Sequence, residues 1–158
     1  MIEQQYIDLF QQFRSEIDSN SVSGMNKHRD SAFAKFKQIG FPTSKLEDYK
    51  HSNIARQFDA EFGLNLRNIE IPVNPYETFK CDVPNLNTFT YFLINDRFYN
   101  QVDQKEGMPE NVFVGSMRQF AEEHPDVFEK HYAKIADNEE NGLVAYNTMF
   151  AQDGFVVY

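Results

Sequence analysis

At 158 residues the chain is long enough to bury a core of its own and short enough to predict one domain. Its 24 acidic and 15 basic residues give a formal charge of -9, spread along the chain, and a surface of that sign disfavours nucleic acid and anionic membranes as partners. The single cysteine, Cys81, excludes an internal disulfide and a cysteine-rich metal knuckle and fits a reducing compartment. The start, MIEQQYIDLF, has neither the basic nor the apolar stretch of a signal peptide, and no apolar run approaches the length of a membrane span, so a cytoplasmic location is expected.

Ile2, Tyr6, Leu9, Phe10, Phe13 and Ile17 recur at steps of three and four, which predicts a helix of about four or five turns with one apolar face. The polar turn SNSVSG, Ser19 to Gly24, ends it. A second helix follows with Ala32, Phe33, Phe36 and Ile39 inward; Gly40 occupies its C' position, and Pro42 prevents its continuation. Ser44 and Glu47 have the S-x-x-E spacing of a capping box, which opens a further short helical turn. Ser52 is the expected cap of another helix through Ile54, Phe58 and Phe62, ended by Gly63.

From Leu64 alternation replaces the helical period. NIEIPV reads as a short strand with Pro72 at its edge, and PNLNTFTYFLINDRFYN as a hairpin turning at Asn95-Asp96. NVFVGS is another strand. HPDVFEKHYAKI is a helix with Pro125 in its first turn and Val127, Phe128, Tyr132 and Ile135 inward. GLVAYNTMFAQDG reads as a last helix closed by Gly154. FVVY reads as a strand with no partner visible in the sequence, which raises the expectation that the chain is the front part of a longer protein. The expected class is α+β: an amino-terminal helical segment, then a small, mainly antiparallel β region with further helices.

Chemistry is thin along this chain. His28, His51, His124 and His131 are scattered, and the last two, seven apart with Pro125 between, cannot form the i, i+4 pincer of a helical zinc site. DNEENG, Asp137 to Gly142, places Asp137, Glu139, Asn141 and Gly142 at positions one, three, five and six of a calcium loop. Its twelfth position is Thr148 where a bidentate Glu is needed, so a solvated acidic turn is favoured over a calcium-stabilised interaction module. Cys81 sits in FKCDVP beside Lys80 and Asp82 with no histidine nearby, which favours a bystander thiol over a sulfur-accepting or redox one. G-x-S-x-G, Walker A and G-x-G-x-x-G sequences are absent. Tyr91-Phe92 and Phe98-Tyr99 fit a half-buried hairpin better than base stacking, because the basic footprint of a nucleic-acid module is missing.

Two stretches carry a family resemblance. RDSAFAKFKQIGFPTSKLEDYKHSNI, Arg29 to Ile54, resembles the amino-terminal motif of the SufB/SufD family of iron-sulfur cluster assembly proteins, an R-x-x-A-x-x-x-F helix leading into G-[FL]-P-T-x-K-x-E-[DN]-[WY]-K-[YH]-[TS]. Arg29, Ala32, Phe36, Gly40, Pro42, Thr43, Lys45, Glu47, Asp48, Tyr49 and Lys50 match it. LVAYNTMFAQDGFVVY resembles the family's L-N-x-x-F-x-x-D-G segment through Asn147, Phe150, Asp153 and Gly154. Tyr49 stands where Trp is more usual, which resembles SufD more than SufB. The resemblance implies an amino-terminal domain over residues 1-154, with 155-158 opening a β-helical core. It also implies a non-catalytic scaffold role in iron-sulfur cluster assembly, with SufB-like and SufC-like ATPase subunits as partners. The family's cluster-related and ATPase-docking segments lie in or after the β-helix, so no cofactor or catalytic residue carries over to this chain. Lys45, Glu47, Asp48, Tyr49 and Lys50 are left as candidate partner contacts, on a corner that otherwise reads as a helix-joining turn.

Overall fold

The apolar repeat at the amino terminus folds as α1, Ile2–Ser19, kinked at Phe13, with Tyr6, Ile7, Phe10 and Ile17 buried. The computed structural model describes residues 2–58, 65–66, 72–79, 89–95, 97–99, 108–136 and 141–158. The SNSVSG break holds one short helical turn, α2, Ser23–Asn26, before α3, Arg29–Ile39. Ala32 and Phe36 on α3 are fully buried, but Ile39, expected inward, is 39% exposed, because the chain turns away at Gly40 one residue later. Gly40 has φ 64° and ψ -163°, a conformation open to glycine, and its N–H donates to Phe36 O at 2.8 Å.

After the buried Phe41 and Pro42, the corner contains a 3-10 turn at Glu47–Tyr49. The expected capping box does not form. Leu46 is the residue before the turn and gives no side-chain cap, while Thr43 folds the backbone instead, accepting from Leu46 N through its carbonyl and from Lys45 N through its hydroxyl. The cap of α4, Ile54–Gln57, is Asn53 rather than Ser52: Asn53 Oδ1 accepts from Arg56 N at 3.2 Å. Phe62 and Gly63 lie outside the described residues. So does most of NIEIPV, whose last two residues, Pro72 and Val73, form a bend rather than a strand. A short helix unmarked in the sequence reading, α5, Pro75–Thr78, follows under an Asn74 cap.

The hairpin is present as β1, Phe92–Ile94, paired antiparallel with β2, Arg97–Tyr99, in the register Phe92↔Tyr99 and Ile94↔Arg97. Asn95 supplies the positive φ of its turn at 49°, and Asp96 lies outside the described residues. β3, Val114–Ser116, comes from NVFVGS and runs straight into α6, Met117–Glu123, a helix not expected from the sequence pattern. α7, Pro125–His131, buries Phe128, but Ile135, expected inward, is 95% exposed, because the helix ends at His131 and Ala133 turns the chain at φ 55°.

The last helix, α8, spans Gly142–Phe150 and ends four residues before Gly154, the expected stop. β4, Phe155–Val157, does have a partner within the chain: it pairs antiparallel with β3, Val114↔Val157 to Ser116↔Phe155. The α+β class is therefore observed, with two small antiparallel sheets among helices in the described residues. The first core lies where α1, α3 and α8 meet and includes Tyr6, Phe10, Phe36, Phe41, Ala145 and Met149. A second, smaller core gathers Met25, Phe120 and Phe128 between α2, α6 and α7.

Candidate partner-contact surface

The motif from Arg29 to Lys50 divides sharply between buried and exposed residues. Arg29, Ala32 and Phe36 follow i, i+3, i+7 spacing, so the arginine shares the inward face of α3. Its guanidinium has no exposed surface. Nη1 donates to Thr148 O at 3.2 Å and Met149 O at 2.7 Å, and Nη2 donates to Ala151 O at 2.7 Å. Nε donates to Asn26 Oδ1 at 3.0 Å and lies 3.1 Å from Asp18 Oδ1. Arg29 thus binds the orphan carbonyls at the C-terminus of α8, where the helix dipole favours a cation. Burial pulls its pKa below the ordinary arginine value, against the opposing pull of Asp18.

The second motif is bound into the same framework. Asp153 accepts from Ser116 Oγ through both carboxylate oxygens, at 2.8 and 2.9 Å, and from Arg118 N at 3.1 Å, so it completes the cap that Ser116 makes at the start of α6. Phe150 packs edge-on against Phe10 at 5.6 Å and Tyr6 at 6.0 Å. Of this motif's four matched residues only Asn147 is exposed. Within this second motif, Gln152 is 5% exposed, accepts from Asn20 Nδ2 at 2.8 Å and donates to Asn65 O at 2.9 Å.

The five candidate contact residues share the corner after Pro42. Lys45, Glu47, Asp48 and Lys50 are exposed, and Leu46 among them leaves 52% of its surface in solvent. Glu47 Oε1 pairs with Lys50 Nζ at 3.6 Å, an exposed ion pair that contributes only about 0–1 kcal/mol. Tyr49 is half-buried, and its hydroxyl accepts from Asn141 Nδ2 at 2.9 Å. Asn141 caps α8 at the same time, accepting from Leu143 N through Oδ1 at 2.9 Å. Thus Tyr49 fastens the corner to the start of α8, while its lysines and acids face outward.

Other candidates are dispersed. His28 and His124 are half-buried, and His51 and His131 are exposed. Among the described residues no group of three or more His, Cys, Asp or Glu side chains is placed to hold a metal ion. Cys81 and Asp137 to Glu140 lie outside the described residues; of the calcium-loop candidates, Asn141 has its amide oxygen engaged in the α8 cap. Among the described residues no helix is long and apolar enough to cross a membrane.

Residues 1–158 match the family model described as the SufBD protein N-terminal region. The chain belongs to the SufBD N-terminal family. No curated protein and no solved structure matches it. The match gives a structural meaning to the residues of the SufBD motifs: Arg29 and Asp153, distant in sequence, fix the end of α8 and the start of α6. The one sequence signal for the inward position of Arg29 is its place on the Ala32–Phe36 face of α3. The engagement of Asn141 by Tyr49 had no such signal, since their contact spans 92 positions.

Proposed function

We propose that this chain is the non-catalytic amino-terminal domain of a SufD-like scaffold subunit, acting in iron-sulfur cluster assembly with SufB-like and SufC-like ATPase subunits. Family membership supports the coarse part of this reading, because SufBD proteins are scaffold components of iron-sulfur cluster assembly. Tyr49, in place of the more usual Trp, supports SufD over SufB. The cluster is cargo of the whole assembly in this reading, the domain carries no resident cofactor, and the setting is cytoplasmic.

The observation that carries the interaction role is the division inside one motif. Packing accounts for Arg29, Ala32, Phe36, Phe41 and Pro42, all of them buried. It does not account for Lys45, Glu47, Asp48 and Lys50, which face solvent beside the exposed Leu46. Polar residues around one exposed apolar side chain are what a partner-contact patch offers. The test is biochemical: chelator-washed protein should retain iron far below stoichiometric amounts and hydrolyse no ATP. Stoichiometric iron surviving the wash would overturn the reading.

A further inference from the structure

A groove of about 370 Å³ opens on the other core, between the α1–α2 turn and the α6–α7 pair. Its apolar lining includes Val22, Ala121 and Phe128, with Gly24 close against the Phe128 ring. Phe128 is 5% exposed and fixed from beneath by Met25 and Phe120 of the second core, so the groove is part of the packed fold. Its volume falls in the range of binding pockets. Its polar groups, however, sit at the rim: Glu122 and Glu129 are exposed, and none of the lining polar side chains is buried. A small polar ligand would find no buried group to orient it.

The groove therefore offers apolar contact inside and negative charge outside, with no cation among its lining residues. We propose that it receives a partner peptide segment in which apolar residues are flanked by arginine or lysine. The apolar side chains lie over Ala121 and Phe128, and the flanking cations meet Glu122 and Glu129. The charge of -9 on the whole chain favours the approach of such a segment. Lys27 forms an ion pair with Glu129 in the free chain, so it competes with the incoming cation. This surface belongs to the second core and is separate from the Lys45–Lys50 corner; it does not depend on the assignment of that corner.

The probe is an acetylated, amidated hexapeptide of sequence ARLLRA, titrated into the isotope-labelled chain and compared with AELLEA. The amide signals of Val22, Gly24, Ala121 and Phe128 should shift with ARLLRA and remain in place with AELLEA. Raising salt from about 0.05 to about 0.5 M should weaken the binding, because exposed charges are screened at that strength. Glu122→Gln should weaken it about two- to fivefold, the range of one exposed charge pair, and Lys27→Ala should strengthen it by removing the competitor. Both sites are on the surface, so the fold is retained. Shifts centred elsewhere, equal response to AELLEA, no response to ARLLRA, or indifference to both substitutions would overturn the proposal.

Discussion

A guanidinium with no exposed surface must find every partner inside the protein, and Arg29 finds three carbonyls at the carboxyl end of α8, those of Thr148, Met149 and the following Ala151, together with Asn26 and Asp18. Arg29→Met removes the charge and leaves those carbonyls without their donor, while Asp18 keeps its ion pair with Arg14, at a cost of about 3–5 kcal/mol. Arg29→Lys keeps the charge and loses the planar fork, at a cost of about 1–3 kcal/mol. Urea unfolding of the two variants should show this order, and a methionine variant as stable as the parent would contradict the clamp.

His28 supplies a pH signal at the same scale. Burial, with Lys27 and Lys134 close by, lowers its pKa from the ordinary value of 6.5, and Glu129 opposes the shift. The unfolded chain therefore takes up a proton at a higher pH than the folded one does. Its contribution is intact above about 6.5 and is lost as pH falls through that value toward the lower folded pKa. Urea midpoints measured from about pH 7.5 to about 5.5 should fall, and His28→Gln should flatten part of the slope. An unchanged slope in that variant would remove the assignment.

At the scale of elements, α8 is held at both ends by residues distant in sequence. Its carboxyl end rests on Arg29, and at its amino end Gly142 lies against the Gly40 carbonyl with no room for a Cβ. Gly142→Ala forces two backbone segments apart, so it should cost about 1–3 kcal/mol and loosen the corner. Amide exchange of the Glu47–Tyr49 turn should accelerate in that variant; an unchanged rate would show that the corner is fixed independently of α8. The periodicity of α1 and α3 was legible in sequence because each has one apolar face. Their outer limits were less legible. Ile39 is the last residue of α3, next to the turn at Gly40, and Ile135 lies four residues past the end of α7; the apolar pattern alone does not mark either limit. The S-x-x-E capping box does not form because Thr43 folds the corner first, taking the Lys45 and Leu46 N–H groups, so that Leu46 and not Ser44 precedes the 3-10 turn. α6 is not legible from the sequence because part of its cap, Asp153, comes from beyond two intervening helices, α7 and α8.

Across the whole molecule, two cores support two different surfaces. The corner with Lys45, Leu46, Glu47, Asp48 and Lys50 follows the first core through Phe41 and Pro42, and the acid-rimmed groove is built on the second. The α+β class and the hairpin register were legible because alternation and the Asn95 turn are local signals. The β3–β4 pairing was not, since Val114 and Val157 meet only through the fold. The candidate residues of the corner were legible from the motif, whereas their division into a fastening Tyr49 and outward charges required the contact with Asn141.

The central claim is that this corner is a contact surface of an assembly scaffold. Its most direct test is the affinity of the chain for a purified SufB-like subunit, measured for the parent and for a Lys45→Glu, Lys50→Glu double variant. With both sites exposed, the thermal midpoint should stay close to that of the parent, while affinity falls about tenfold through two reversed charges. Parent-like affinity in a folded double variant would contradict the account.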